Sequence, residues 1–200
     1  MNLSDFVVLD IETTGLSKYR HKITEIAGVR VRKGKIIAEY QTLVNPEVHI
    51  PSFITRLTGI DDKLVKDAPP IEKVLPGFVR FLGKNVFVAH NATFDHGFLY
   101  HNAQAHMNYV MTNNTLCTRK LANRLLPELP SKKLSCVCEH LAVRNINAHR
   151  ALADAKATAD IFIQFMHMMK QLGFKTVDDI QKFETLPLER IRKIVATYSK

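Results

Sequence analysis

The sequence predicts an α/β fold in which helices pack on a mixed sheet, and three observations carry that expectation. The chain opens with apolar, β-rich runs separated by turn residues. After residue 46 short strands alternate with helical segments, the pattern of a layered α/β domain. Near the end lies one long stretch, rich in alanine early and in Ile, Phe and Met later, that reads as the longest helix.

Taken in order, Phe6 to Ile11 is a continuous apolar run of the kind buried on both faces of a sheet, and Thr13-Thr14-Gly15 ends it with a turn signal. Strands follow at Ile23 to Val31 and Ile36 to Val44. Lys33-Gly34-Lys35 between them suits a hairpin, so the chain opens as an antiparallel meander. Beyond Asn45-Pro46, Ser52 to Leu57 is a short helix ended by Gly59, and Pro70 to Leu82 has helical apolar spacing. Asn85 to Ala89 returns to strand. Ala92 to His106 and Thr118 to Leu126 read as helices flanking a short strand near Asn114 to Leu116. Ser131 is the expected N-cap of a helix running to about Ala142, and Ala151 to Leu172 is the long helix. Residues 1–173 form the expected domain; 174–200 form a C-terminal helical appendage of two amphipathic stretches, Val177 to Phe183 and Leu188 to Tyr198.

Two hundred residues suit one domain with a small addition, and 46% hydrophobic with 24% charged residues is ordinary for a globular protein and gives no argument for long disorder. No apolar run, Val86 to Ala89 and Ile161 to Met169 included, is long enough to span a bilayer, so no membrane partner is expected. Met1-Asn2-Leu3-Ser4-Asp5 lacks the basic and apolar regions of a secretory signal, which makes a cytoplasmic location the expectation. A formal net charge of +9 favours a polyanionic partner. Three cysteines, an odd count, argue against a disulfide framework. Cys136, Cys138 and His140 stand on alternate positions of a helical segment, which share no face, and read as structural residues, not metal ligands.

Three short segments carry chemistry. Asp10 and Glu12 stand two apart at the end of the first strand, so both carboxylates project from one side of the sheet. Two acids so placed repel one another unless they face solvent or share a cation, and hard oxygen donors favour Mg²⁺ or Mn²⁺. Asp95 lies in Ala89-His90-Asn91-Ala92-Thr93-Phe94-Asp95, where a strand ends and a helix begins. A helix dipole favours an acid there, and strand-end loops are also where ligands collect. In His149-Arg150-Ala151-Leu152-Ala153-Asp154 the histidine precedes the long helix and the aspartate falls in its second turn; one can take a proton near neutral pH and the other can hold a metal.

Together Asp10-Ile11-Glu12-Thr13-Thr14-Gly15, His90-Asn91-Ala92-Thr93-Phe94-Asp95 and His149-Arg150-Ala151-Leu152-Ala153-Asp154 resemble, in order and separation, the three exonuclease motifs of the DEDDh family. The chain is most similar to the proofreading epsilon subunits and PolC-type exonuclease domains of bacterial replicative DNA polymerases. The similarity runs from about Phe6 to Leu172 and includes Asn45-Pro46 and Leu57-Thr58-Gly59-Ile60. It implies a ribonuclease H-like, mixed five-stranded sheet flanked by helices, and 3′ to 5′ hydrolysis of DNA to nucleoside 5′-monophosphates. It implies that Asp10, Glu12 and Asp154 hold one divalent ion, that Asp10 bridges to a second reached by Asp95, and that His149 is the general base. Thr13, Thr14, Gly15 and Leu16 are implied to line the terminal nucleotide, with Ile60, His90, Asn91 and Phe94 as further contacts to the 3′ end. The expected partner is a single-stranded or frayed 3′ end of DNA, with RNA as the alternative substrate. The appendage would cap the core or dock a DNA polymerase subunit. A nucleic-acid-binding or polymerase-docking module with incidental nuclease activity is the reading from a different class. Lys132-Lys133, Arg190, Arg192 and Lys193 read as solvated faces or phosphate contacts, and Phe162, Phe165, Met166 and Met169 as core.

Overall fold

A computed structural model describes residues 5–187 and 189–191. Its centre is a five-stranded sheet in the order β3-β2-β1-β4-β5. Strands β1 (Asp5–Thr13), β2 (Ile23–Arg32) and β3 (Lys35–Leu43) form the antiparallel meander, while β4 (Val86–Ala89) and β5 (Thr115–Cys117) run parallel to β1. The β2–β3 turn places Lys33 and Gly34 both at positive φ, 50° and 73°, the mirror-image turn whose twist matches that of paired strands.

Alternation along β1 sorts its side chains between two apolar layers. Val7, Leu9 and Ile11 face helices α3 (Ile71–Leu82) and α4 (Ala92–Met107). Phe6 and Val8 face α5 (Thr118–Leu125), α6 (Leu134–His140) and α7 (Ala151–Gln171), and Asp10 and Glu12 continue the alternation on that same side. Helix α7 lies over β1 and β2 with Ala151, Ala155, Ala157 and Ala159 buried against them. Methyl side chains let the helix axis approach the sheet closely, which brings acids on α7 within reach of acids on β1. Farther along, Phe162, Phe165 and Met169 are buried and Met166 packs against them, as the helical spacing predicts.

Two short helices, α1 (Ser52–Thr58) and α2 (Asp62–Val65), pack around Ile50, Ile54, Ile60 and Val65 as a satellite of the main layers. Gly59 ends α1 at φ 72°, as expected. Helix α2 goes unanticipated in the sequence: it has four residues and depends on the Asp61 carboxylate, which accepts from Leu64 N at 2.8 Å.

Two expectations need correction. Helix α6 starts at Leu134 after Lys133, with no side-chain cap, while the Ser131 hydroxyl reaches only Lys133 N at 3.4 Å. The preceding segment is held elsewhere, since the Lys132 carbonyl accepts from the His90 ring at 2.8 Å. Asp154 falls in the first turn of α7, not the second.

After Gly173, α8 (Val177–Thr185) begins with a Thr176–Asp179 capping box. It seats Val177, Ile180 and Phe183 in the layer that α7 fills, joined by Ile191. It also lies along β5: the Glu184 carboxylate accepts from Cys117 N, and Gln181 Nε2 donates to Thr115 O at 3.2 Å. Most of the stretch Leu188 to Tyr198 lies outside the described residues, as do Arg192 and Lys193.

Candidate active site

The site gathers at the carboxyl ends of β1 and β4 and the amino end of α7, the end of an α/β sheet where loops diverge. A register shift between Glu12 and Thr13 pairs Glu12 with Glu25 but Thr13 with Ile23, so the strand pair bulges where the acids project. Beyond the bulge the turn locks itself. The Thr13 hydroxyl donates to Gly15 O at 2.7 Å, and Lys22 N donates to the Thr14 hydroxyl at 3.0 Å. Gly15 has an ordinary φ, yet a Cβ there would stand 2.4 Å from the His21 ring, so close packing and not turn geometry requires glycine. Leu16, 85% exposed, is left at the tip.

Ligand oxygens of Asp10, Glu12 and Asp154 lie within 4.8 Å of one another. Asp95 is outside that set but is 2% exposed, and hydrogen bonds from its own amide and that of Ile11 hold its carboxylate. Burial, then the charges of Asp95, Glu12, Asp154 and Glu25, push Asp10 well above the usual carboxylate range. Burial and the neighbouring Asp154, Glu25 and Asp95 push Glu12 up to about 8, partly offset by Arg150. Burial likewise raises Asp95 to about 7. Asp154 is also raised, burial outweighing the bonds from Asn145 Nδ2 at 2.5 Å and His149 N at 3.1 Å.

Glu25, a neighbour that the sequence reading passed over, behaves oppositely. Burial pushes it up, but hydrogen bonds from Arg150, Gln41 and Ala151 N outweigh burial and hold it below the usual value. The contrast suits the four remaining acids to a cation. Glu25, with a direct cationic partner, is held ionised; Asp10, Glu12 and Asp154 crowd together with no direct ion pair among the described residues, and hard oxygens at that spacing match a divalent ion.

His149 takes a left-handed conformation, φ 65°, which costs a non-glycine residue about 1–2 kcal/mol. A hydrogen bond from its backbone N–H to Asp154 Oδ2 ties that turn to the acid, and His149 lines a cleft of about 610 Å³ shared with Asp154, Asn91 and Leu57. Arg119, Lys132 and Lys133 line the same cleft, so the two lysines face it in part, and Lys132 Nζ donates to Leu129 O. Exposed Arg190 is not among the lining residues.

The expected nucleotide contacts are placed unevenly. Asn91, in a left-handed conformation at φ 78°, is exposed in the cleft. Phe94 is half-buried against Phe98, with ring centroids 5.0 Å apart. Ile60 has no exposed surface and packs among Ile50, Ile54 and Val65, beside α1. Both ring nitrogens of His90 are engaged. Burial lowers its pKa to about 4, so Nε2–H donates to Lys132 O and Nδ1 accepts from the Thr118 hydroxyl, each at 2.8 Å. His90 therefore latches the lysine-bearing segment to the end of β4. The three cysteines are free, and Cys138 is buried. Among the described residues no helix is long and apolar enough to cross a membrane.

Comparison with known proteins agrees with this geometry. Residues 7–162 match the family model RNase_T, described as an exonuclease. The chain is 45% identical over 176 residues to a PolC-type DNA polymerase III of Caldanaerobacter subterraneus subsp. tengcongensis, covering 88% of this chain and 12% of that polymerase. It is 38% identical over 191 residues to the Thermotoga maritima PolC-type enzyme, covering 92% of this chain and 14% of the relative. This chain thus spans only about an eighth of the length of these relatives. Among solved structures, Exonuclease X in complex with 5′ overhanging duplex DNA superposes with a TM-score of 0.72 at 29% identity, covering 90% of this chain and 99% of that one. The nuclease domain of 3′hExo, a DEDDh family member bound to rAMP, shares the fold at TM-score 0.69 and 21% identity, covering 82% of this chain and 92% of that one. On the match across residues 7–162, joined to the ordered acidic motifs at one sheet end, the chain belongs to the exonuclease family.

Proposed function

We propose that this chain hydrolyses DNA from a single-stranded or frayed 3′ end, releases nucleoside 5′-monophosphates, and serves as a proofreading component of a DNA polymerase III. The observation that carries the reading is the convergence of Asp10, Glu12 and Asp154 within 4.8 Å, where burial raises all three and the charges of neighbouring acids raise Asp10 and Glu12 further. These three would hold one Mg²⁺ or Mn²⁺, and Asp10 with Asp95 a second. When bound, such a pair neutralises the phosphodiester and makes a bound water easier to deprotonate.

The remaining work falls to the chain itself. His149, exposed in the cleft next to Asp154, accepts the proton of the attacking water. The hydrogen bond from its backbone N–H to Asp154 fixes where that residue stands relative to the acid. Leu16 offers an exposed apolar surface to the terminal base or sugar, while Arg119, Lys132 and Lys133 meet phosphates entering the cleft. DNA is favoured over RNA because relatives at 38–45% identity are DNA polymerases. Helix α8 turns its apolar side to the core, so a polymerase partner would meet its polar outer side.

The test is a set of matched 5′-labelled DNA and RNA strands, single and paired, incubated with Mg²⁺ or Mn²⁺ and with a chelator. A ladder shortening from the 3′ end of DNA, abolished by chelator, is expected. Internal cuts, or degradation of RNA in preference to DNA, would refute the substrate reading.

A further inference from the structure

Glu25 has no part in the chemistry above, yet it is the most completely bonded acid of the site. It stands on β2 directly across from Glu12 and has no exposed surface. An ionised carboxylate in that position must be fully compensated. Oε1 accepts from Gln41 Nε2 and from an Arg150 terminal nitrogen, both at 2.8 Å. Oε2 accepts from Arg150 Nε at 3.2 Å and from Ala151 N at 3.0 Å. That last donor is the first amide of α7. Opening amides of a helix lack partners within it, and the residue before α7 supplies no side-chain cap. A strand residue therefore caps the helix from across the site. Arg150 lies between His149 and Ala151, and its carbonyl accepts from Asp154 N at 3.0 Å.

We infer that Glu25 and Arg150 form a positioning clamp, which fixes the start of α7 to β2 and so sets where Asp154 and His149 stand relative to the carboxylates of β1. The inference rests on the nuclease reading. Sheet register puts Glu25 on the same rung as Glu12, so the clamp and the metal ligands are measured from one ladder. The paired nitrogens of Arg150 give the clamp a direction as well as a charge, which a lysine cannot reproduce.

The experiment uses the full chain with Glu25→Gln, Arg150→Lys and the double variant Glu25→Gln/Arg150→Met. Each is followed by Mn²⁺ titration calorimetry without substrate, by thermal melting, and by kcat and KM on labelled DNA. Each single change is expected to weaken Mn²⁺ binding about ten- to a hundredfold and to lower kcat with KM held, and the double variant to resemble the single ones because the pair acts as a unit. If Glu25→Gln does not fold, Arg150→Lys carries the same test, because that side chain is 37% exposed. Variants that melt earlier but keep wild-type Mn²⁺ affinity and kcat overturn the clamp and leave the pair only a fold-stabilising role. Recovery of Mn²⁺ binding in the double variant overturns it too, since that would mean a freed Arg150 charge competes for the acids. Wild-type protein that binds no Mn²⁺ overturns the nuclease reading and the clamp together. Wild-type cleavage with undiminished Mn²⁺ affinity in Glu25→Gln overturns the clamp alone.

Discussion

The cleft has an acidic centre and a basic wall, and the two are built differently. Asp10, Asp95 and Asp154 sit on a strand and two helices, and Asp95 and Asp154 are 2% and 7% exposed. Arg119 and Lys133 are exposed, and Lys132 and Lys133 lie on a loop whose place depends on the His90 latch. Regular structure fixes a side chain to within a fraction of an ångström, which metal binding and proton transfer need; phosphate contacts tolerate more movement. The difference teaches that damage to the centre should appear in turnover and damage to the wall in affinity.

The largest effect should come from Asp10→Ala. It removes the acid on which the charges of Asp95, Glu12, Asp154 and Glu25 all act, and several kcal/mol of lost transition-state stabilisation is about a thousandfold or more in kcat. Nucleotide release measured at saturating Mn²⁺ and within tenfold of wild type would break the division between centre and wall. Next, His149→Ala should lower kcat by about 10²–10⁴ with a much smaller change in KM. Single-turnover assays check this, and a loss confined to KM would move His149 to the wall.

The third prediction concerns protein without metal. Because folding raises Glu12 to about 8 and Asp95 to about 7, the folded state binds more protons than the unfolded chain over the window from about pH 4 to 8. Stability contributed by these groups is thus present at the acidic end and lost as pH rises. Melting temperature in chelator should fall steadily across that window, and saturating Mn²⁺ should remove the slope. A flat or rising melting curve in chelator would contradict the raising of these carboxyls by burial. The smallest effect belongs to the wall. Arg119→Ala/Lys133→Ala should leave kcat in place, raise KM a few-fold, and flatten the salt dependence of binding by about 1.4 in log–log slope for a single strand. An unchanged slope would show that these cations do not meet phosphates.

Much of the fold was legible because the strongest signals are local. The apolar run of β1 and the alanine-rich start of α7 each appear within a few residues of where they were expected. Helix α2 was not legible, since four residues held by one cap and a satellite cluster carry no periodicity. The acids were visible from their motifs, but the side-chain roles around them depend on long-range contacts. Ile60 and His90 read as ligand contacts, but no local pattern shows that one is enclosed by packing and the other bonded at both nitrogens. Glu25 did leave a signal: a lone acid inside Ile23-Thr24-Glu25-Ile26-Ala27, on a strand buried along most of its length, requires a cationic partner. That partner is 125 residues away, beyond any local pattern.

The position of α8 against β5 has a practical consequence for anyone trimming this chain or grafting it onto another protein. β5 is the outermost strand on its side, and α8 both bonds to its backbone and fills the apolar hollow beside it. A boundary drawn at Gly173 would leave a bare strand next to an open greasy socket, an invitation to intermolecular pairing. The safer seam lies beyond Ile191, and light scattering of the two fragments would reveal the difference before any assay of cleavage.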